Sequence, residues 1–404
     1  LQKEKGYPLS IKASAGKNKP EKIINITNIL KGSGFLGAAL QSTDPEVLKA
    51  IKRDNIPTDK IMNLAEFGKE QGNPTYTEII LGLPSDSKEK HFESLRVGVD
   101  MGLNSIRMYQ LMLLAGTEMA SPQSRKTFEM IIKWRILPGC AGKYQVLGKE
   151  YRIAEYEEIV VGNKTLSFYD YLECRLMNLL IETFINNALF EEIFGMIQAL
   201  GLSRFDCLLY ILNHPETYPE TIQSYFKSYI NDTTNDLFET EEEVKAYTQR
   251  EGNIEDYVSG TSGRKELLYH KALCYLSFED LNQMLFTATI QFLKENGKLT
   301  EKITDYVKSL EKFSMLCKKS FENTNLEYVE SFEYDFKSLA KRNFEIDPNQ
   351  IEPCGPFTFH IKHSQTQISL IQNALNVYGE STAGLARLIQ RSNLKKMFRG
   401  YEYN

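Results

Sequence analysis

The feature that most constrains the fold is an alternation of short apolar runs with amphipathic segments over the first 119 residues. The apolar runs at 9–13, 35–40, 78–81 and 105–111 have the length and composition of buried strands. Strand–helix repeats of this length predict a parallel sheet, either open or closed into a barrel. Such sheets bind ligands at the carboxyl ends of their strands.

Start and stop signals delimit the helices between these strands. Asp44 can cap a helix that has a proline at its first position, where the missing N–H is harmless. Thr58 can cap the next helix. Asp86 and Glu89 form a pair like a capping box before a third helix, and Gly102 is placed to end it.

The pattern changes beyond residue 119. Residues 120–145 read as a transition, in which Ser121-Pro122 breaks the chain and Pro138-Gly139 turns it. Helical periodicity then dominates, with amphipathic stretches at 168–200, 221–230, 241–250, 264–296, 300–320 and 365–399, and one strand at 356–363. We predict an α/β fold followed by a mainly α fold. The predicted domains are the α/β part at 1–145 and a mainly helical accessory domain at 146–404.

Composition narrows the class of protein. The net charge of −5 gives no sign of a nucleic-acid-binding surface, which needs a basic excess. The most apolar stretch, Leu176 to Leu200, is interrupted by Glu182, Glu191 and Glu192, which are too costly in a bilayer. We therefore expect no membrane span, no nucleic-acid partner and a cytoplasmic location.

Cysteine and histidine positions do not predict a metal site. The six cysteines are far apart in sequence, whereas a local metal site needs close spacing such as C-x2-C. His360 and His363 are three apart on the predicted strand, so they point to opposite faces. His91 falls in a first helical turn and is predicted to be solvated. We expect reduced thiols and no metal ligand in this sequence.

Polar residues cluster at the predicted strand ends. Gln41 and Ser42 close one strand, Arg53 ends the following helix, Glu78 opens the strand that runs into Leu81 and Gly82, and Leu111 closes the fourth. A guanidinium suits a carboxylate, two hydrogen-bonding side chains suit hydroxyl groups, and an apolar strand suits a planar base. Together they predict a cradle for a zwitterionic nucleoside.

These residues carry a resemblance to a known family. The run from Leu40 to Arg53, Leu-Gln-Ser-x-Asp-x-x-Val-Leu-x-x-Ile-x-Arg, resembles the fourth strand and helix of radical S-adenosylmethionine (SAM) enzymes. The run Glu-Ile-Ile-Leu-Gly-Leu-Pro from Glu78 resembles their fifth strand, and Tyr109-x-Leu111 with Gly116-Thr117 the sixth. Lys133-Trp-Arg-Ile-Leu-Pro138 and Gly142-x-Tyr144 are similar to members with an amino-terminal cobalamin domain.

The resemblance implies a role for each matching residue. Arg53 would pair with the SAM carboxylate, and Gln41 and Glu78 would bond to its ribose. The adenine would lie between Leu81–Gly82 and Leu111, and Ser42 would assist. Lys12, Ser14 and Lys17 follow the presumed third strand, where they would face substrate or SAM, or simply be exposed polar residues.

The resemblance also implies groups that this sequence does not hold. The family's 4Fe-4S cluster is bound by Cys-x3-Cys-x2-Cys after the first strand, and the sequence contains no such triplet. Since the repeats start at what reads as the third strand, we expect two βα units, the triplet about 60–90 residues upstream and a cobalamin domain to precede them. A degenerate, non-catalytic relative is the other interpretation.

The implied activity is that of a partial (β/α) radical SAM barrel. Such an enzyme generates a 5′-deoxyadenosyl radical or uses SAM and cobalamin for methyl transfer or rearrangement. It would act on a small-molecule substrate and take electrons from a donor such as flavodoxin or ferredoxin. The alternatives are a non-catalytic SAM-binding or interaction module, and a relative without cobalamin that is methylthiotransferase-like or coproporphyrinogen-oxidase-like.

Overall fold

The computed structural model describes residues 36–55, 75–259 and 262–403, and outside these ranges only positions 5, 25 and 29. The chain divides into two compact units, residues 1–178 with 230–266 and residues 179–229 with 267–404. The predicted strand at 9–13, the helix after Thr58, and Lys12, Ser14 and Lys17 lie outside the described residues. The predicted domain boundary at residue 145 stays a prediction.

The first unit contains a three-stranded parallel sheet in the order β1–β2–β3. The strands are β1 (Leu36–Gln41), β2 (Thr75–Leu81) and β3 (Ser105–Gln110), and helices α1 (Pro45–Ala50) and α2 (Lys88–Asp100) follow β1 and β2. The predicted α/β character is confirmed. Three parallel strands among the described residues do not make a barrel, so the partial barrel stays a prediction.

The two faces of this sheet differ in burial. Odd-numbered residues of β2 are buried and even-numbered ones are half-buried, as the alternation of side chains along a strand requires. Helix α2 covers the buried face so closely that a Cβ on Gly98 would lie 3.1 Å from the Ile106 side chain and 3.4 Å from that of Thr77. The opposite face, which carries Glu78, is half-buried among the described residues.

The cap of α1 and the end of α2 follow the sequence signals. Asp44 caps α1 by accepting hydrogen bonds from the backbone N–H groups of Glu46 and Val47, at 2.9 and 3.0 Å. Gly102, beyond the end of α2, has a φ of 72°, which glycine adopts without a Cβ penalty. Both predictions are confirmed.

Helix α2 begins differently from the prediction. Its capping residue is Ser87, whose hydroxyl accepts a hydrogen bond from Lys90 N and donates one to the Glu89 carboxylate. The prediction that Asp86 caps this helix is wrong, because its carboxylate is turned into the protein and is 1% exposed. The predicted solvation of His91 is also wrong: the first turn of α2 faces inward and leaves His91 1% exposed.

A long antiparallel hairpin replaces the predicted transition. Helix α3 (Pro122–Thr127) leads into strands β4 (Ile131–Val146) and β5 (Lys149–Gly162). The chain turns at Leu147 and Gly148, whose φ angles are 51° and 77°. The prediction of a turn at Pro138-Gly139 is wrong, because these residues form an irregularity within β4, where the register shifts between Ile136 and Ala141.

Helices of the first unit pack against the hairpin. The first unit also contains α8 (Glu241–Gln249) and α9 (Asn253–Ser259), together with parts of α4 (Phe168–Leu180) and α7 (Glu220–Asn235). Ile136, Val244 and Tyr257 form a buried cluster against which Trp134 packs. Trp134 is thus part of the apolar packing between the hairpin and these two helices, α8 and α9.

The second unit is mainly helical. Its helices include α5 (Glu191–Ala199), α6 (Arg204–Asn213), α10 (Glu266–Leu276), α11 (Phe278–Glu295), α12 (Glu301–Lys318), α13 (Phe336–Ala340), α14 (Gln365–Tyr378) and α15 (Thr382–Arg391). The predicted strand is β7 (Phe357–Lys362), which lies between β6 (Tyr328–Phe332) and β8 (Gly400–Tyr403) in an antiparallel sheet. The two short outer strands were not predicted.

The predicted helical stretch at 168–200 is interrupted in the structure. A π-helical turn spans Ile181–Ile185, and Asn187 and Ala188 have left-handed φ angles of 65° and 53°. No single helix among the described residues is long and apolar enough to cross a membrane. Helices α5 and α6 pass that test of length and composition only together, and they are bent by 113° at their junction.

Candidate functional site

The carboxyl end of β1 lies beside the middle of β2. Gln41 is the last residue of β1 and is the register partner of Ile79, after a shift in pairing between Ala38 and Gln41. Gln41 has a φ of 60°, a left-handed conformation in which the strand stops. The predicted ribose residues Gln41 and Glu78 therefore lie on adjacent strands, with Gln41 at the end of β1 and Glu78 in the middle of β2.

Arg53 folds back onto β1 from the end of α1. Its guanidinium donates to the carbonyl oxygen of Ala39 through NH2 and to Oδ1 of Asn55 through Nε, the latter at 3.1 Å. Both acceptors are neutral. Burial lowers the pKa of Arg53, and the negative charge of nearby Glu78 acts in the opposite direction. The structure thus brings Arg53, Gln41 and Glu78 to one seam between β1 and β2.

Asn55 is a structural part of this seam that the sequence reasoning missed. Its side-chain amide donates to the carbonyl oxygens of Leu40, at 3.0 Å, and Ser42, at 2.6 Å. With its Oδ1 it also accepts the bond from Arg53. Asn55 therefore fixes the loop after α1 to the strand exit of β1. Its position two residues after Arg53 was the available signal, since Asn commonly bonds to nearby backbone.

Glu78 is paired with a second arginine, Arg107, which the sequence reasoning also missed. Arg107 NH1 lies 3.2 Å from Glu78 Oε1, and the two residues are register partners on β2 and β3. The Arg107 guanidinium also lies over the ring of Tyr76, 4.0 Å from its centroid. The predicted strands at 78–81 and 105–111 did not give this pairing, because β2 begins at Thr75, three residues earlier than predicted.

The residues expected to flank the adenine lie deeper in the structure. The side chain of Leu81 is fully buried on the face opposite Glu78. Gly82 has a φ of 88°, and a Cβ there would lie 2.9 Å from the carbonyl oxygen of Val160. Leu111 is 9% exposed and donates its backbone N–H to the carbonyl of Leu81 at 2.9 Å. Their contact with a base stays a prediction, one that involves backbone rather than side chains.

Ser42 has a structural role in the exit loop of β1. It is 2% exposed, its hydroxyl accepts from the backbone N–H of Asp44 at 3.2 Å, and it lies 3.4 Å from the hydroxyl of Ser94 on α2. Ser94 also accepts from the backbone N–H of Thr43 at 2.9 Å. These bonds tie the exit loop to α2, and the assisting role of Ser42 toward SAM stays a prediction.

Asp86 holds the exit turn of β2. Its buried carboxylate accepts from the backbone N–H of Ser87 at 3.1 Å and from that of Gly82. Burial raises the pKa of Asp86 to about 7, against the stabilising effect of these two N–H groups on the charged form. The carboxyl group therefore fixes the loop that connects the sheet to α2.

The described residues do not form a metal site. They contain no group of three or more His, Cys, Asp or Glu side chains that could hold an ion. All six cysteines are free, and burial raises the pKa of Cys207, Cys274 and Cys317 to about 12, which opposes the thiolate form that metals bind. These cysteines do not fit a 4Fe-4S cluster.

Comparison with known proteins finds two partial relatives. Over 124 residues the chain is 28% identical to the cobalamin-dependent radical SAM methyltransferase TokK of Streptomyces tokunonensis, which covers 30% of this chain and 18% of the relative. Over 122 residues it is 29% identical to the 2-(S-pantetheinyl)-carbapenam-3-carboxylate methyltransferase of Streptantibioticus cattleyicolor, covering 29% and 18%. No family model matches the chain.

The two relatives share one kind of reaction. Both are methyltransferases, and the first is by name a cobalamin-dependent radical SAM enzyme. The matched stretch spans less than a fifth of the length of either relative. The chain therefore has a distant and partial homology to radical SAM methyltransferases.

Proposed function

We propose that this chain is the SAM-binding part of a cobalamin-dependent radical SAM methyltransferase. Support comes from the two partial relatives and from the seam between β1 and β2. The substrate is proposed to be a small molecule. Generation of a 5′-deoxyadenosyl radical and a cobalamin-dependent rearrangement are the related reactions that the same cofactors support.

The observation that carries the proposal is the state of the Arg53 guanidinium. It is partly withdrawn from water, yet its hydrogen bonds among the described residues go to a carbonyl and an amide oxygen. The carboxylate whose charge acts on the pKa of Arg53 is that of Glu78, and this carboxylate is already paired with Arg107. A partly desolvated cation with neutral partners favours an anionic ligand, and a bidentate carboxylate matches its geometry.

The other residues are assigned around this anchor. Gln41 and Glu78 bond to the ribose hydroxyls, because they lie on adjacent strands and Glu78 is close enough to Arg53 to act on its charge. The backbone of Leu81 and Gly82, together with Leu111, flanks the adenine, and Ser42 supports the loop that carries Gln41. These residues bind and orient SAM and hold it away from water.

The remaining cofactors are proposed from the relatives and not from these residues. A 4Fe-4S cluster would have its ligands outside this chain, as would cobalamin, and a flavodoxin or ferredoxin would supply electrons in the cytoplasm. The described cysteines themselves do not fit a cluster.

A second candidate is a SAM-binding module without radical chemistry. It needs no metal ligand, and the described residues contain no group of three or more His, Cys, Asp or Glu side chains that could hold an ion. Anaerobic reconstitution of the full-length protein with iron, sulfide, cobalamin and SAM separates the two candidates. Formation of 5′-deoxyadenosine or S-adenosylhomocysteine supports the enzyme, whereas SAM binding without either product supports the module.

The direct test of the site is Arg53→Gln, with SAM affinity measured by calorimetry. Loss of a charge-assisted hydrogen bond should weaken binding by about 1.5–3 kcal/mol. Lys52→Gln is the matched control, because Lys52 is the neighbouring cation and its side chain is 72% exposed. Equal SAM affinity in the wild type and Arg53→Gln would remove Arg53 from the site.

A further inference from the structure

Two guanidinium groups act on Glu78 in different ways, one through a direct contact and one through its charge. Arg107 NH1 is 3.2 Å from Glu78 Oε1, whereas Arg53 acts on Glu78 through its charge and donates its own hydrogen bonds elsewhere. Glu78 Oε2 has no hydrogen-bond partner in the part of the chain that the structure describes. Among the described residues, one carboxylate oxygen of Glu78 therefore has a partner and the other has none.

The aromatic ring of Tyr76 restrains the Arg107 side chain. Its guanidinium lies 4.0 Å from the centroid of the Tyr76 ring, and Tyr76 is two residues before Glu78 on the same face of β2. An arginine that both stacks on a ring and pairs with a carboxylate has few remaining conformations. Tyr76 and Arg107 thus limit how the Glu78 carboxylate can rotate.

The position of the Glu78–Arg107 pair on the sheet makes the restricted rotation of the Glu78 carboxylate relevant to ligand binding. Glu78 and Arg107 are register partners on β2 and β3, so the pair spans two strands of the sheet on its half-exposed face. A hydroxyl group donates well to a carboxylate only when an oxygen is presented at about 2.5–3.0 Å in the right direction. A carboxylate that turns freely presents such an oxygen for only part of the time.

We propose that Arg107 is a positioning residue that holds the Glu78 carboxylate with one oxygen directed at the ribose hydroxyls of bound SAM. This inference rests on the function proposed above, in which Glu78 binds the ribose. Arg107 acts through Glu78 and does not itself contact the nucleoside. The effect of Arg107 must therefore depend on the presence of the ribose hydroxyls.

The experiment compares two ligands that differ only in those hydroxyls. S-adenosylhomocysteine and its 2′,3′-dideoxy analogue are titrated by calorimetry into the full-length protein and into Arg107→Gln. We expect Arg107→Gln to weaken S-adenosylhomocysteine about tenfold, the effect of one charge-assisted hydrogen bond. The affinity for the dideoxy analogue should change less than about twofold, because its sugar cannot donate to Glu78.

Three further variants define the pathway of the effect. Glu78→Gln should weaken S-adenosylhomocysteine to a similar extent, and the double variant should be no weaker than Glu78→Gln alone. Arg107→Lys keeps the charge and should recover part of the affinity. Arg152→Gln is the matched control. Arg152 also pairs with a glutamate, Glu255 of α9, at 3.3 Å, but it lies on strand β5 of the hairpin and not in the three-stranded sheet.

The outcomes separate this inference from the proposed function. If Glu78→Gln weakens S-adenosylhomocysteine and Arg107→Gln does not, the function stands and the role of Arg107 is wrong. If Arg107→Gln weakens both ligands equally, Arg107 supports the fold of the site and the inference is also overturned. If the wild-type protein binds neither ligand, both the function and the inference fail.

Discussion

The carboxylate of Asp86 and the imidazole of His91 face each other in the interior, with Oδ2 and Nδ1 3.8 Å apart. Burial raises the pKa of Asp86 to about 7 and lowers the pKa of His91 to about 4. Both groups therefore favour their neutral forms at pH values between about 4 and 7. Asp86 also fixes the exit turn of β2, so this pair links the protonation state of the interior to the candidate site.

The two groups should affect stability in opposite directions as the pH falls. A raised carboxyl pKa makes the contribution of Asp86 complete below its unfolded value near 4 and lost as the pH rises through about 7. A lowered imidazole pKa makes the contribution of His91 present above its unfolded value near 6.5 and lost as the pH falls through about 4. In the wild type the two effects largely cancel between these limits.

Single variants should expose the hidden pH dependence. In Asp86→Asn the free energy of unfolding should fall by about 1 kcal/mol per pH unit, relative to wild type, as the pH drops from 6.5 to 4.5. In His91→Gln it should rise by a similar amount over the same range. Urea unfolding at several pH values measures both, with His360→Gln as a half-exposed control; parallel curves for all four proteins would contradict this account.

Gly82 should be the least replaceable glycine of the sheet. Alanine at a φ of 88° carries a left-handed penalty of about 1–2 kcal/mol, and its Cβ would also lie 2.9 Å from the Val160 carbonyl oxygen. Gly148 has a φ of 77° and open space around it, so Gly148→Ala carries the conformational penalty alone. We expect Gly82→Ala to lower the free energy of unfolding by about 2 kcal/mol more than Gly148→Ala does, as measured by urea unfolding. Equal losses would show that the backbone at Val160 moves away from the new Cβ without cost.

Ser94 should contribute to stability through the exit loop of β1. It is 1% exposed and accepts the backbone N–H of Thr43, which Ser94→Ala would leave without this partner. The expected loss is about 1–3 kcal/mol in the free energy of unfolding. Ser224→Ala removes an exposed hydroxyl from another helix and should leave the free energy of unfolding almost unchanged. If Ser94→Ala has an equally small effect, the hydrogen bonds between the exit loop of β1 and α2 do not stabilise the protein.

In the second unit, the ion pair of Glu192 and Lys318 should be costly to break but not to remove. Glu192 is 4% exposed and Lys318 7%, and Ser314 donates to the same carboxylate at 2.7 Å. Lys318→Met leaves a buried charge and should lose about 3–5 kcal/mol, whereas adding Glu192→Leu should recover part of it. Thermal and urea unfolding of both variants give the comparison, and additive losses would contradict it.

The sequence predicted those parts of the fold that depend on local signals. Asp44 before a proline and Gly102 after an amphipathic run were sufficient, because capping and left-handed termination act over a few residues. His91 was misjudged because its burial depends on which face of α2 packs against the rest of the unit. The turn at Leu147 and Gly148 was missed because Pro138-Gly139 gave a stronger local signal within what is one irregular strand.

The candidate site shows the same division. Arg53, Gln41 and Glu78 could be selected from the sequence because each stands at the end or the start of a predicted element. Arg107 could not be selected in the same way, because its importance comes from pairing with a residue 29 positions away. The tight cover over Gly82 depends on a hairpin that the sequence reasoning did not predict.

The base of that hairpin has one more effect. Beyond β3 the backbone of Leu111 and Leu113 bonds to β5, through Val160 N to Leu111 O and Leu113 N to Glu158 O, each at 2.9 Å. A strand from another molecule could not pair with the chain here, because these amide and carbonyl groups already bond to β5. The hairpin thus protects this edge of the sheet, beyond the carboxyl end of β3, against edge-to-edge aggregation.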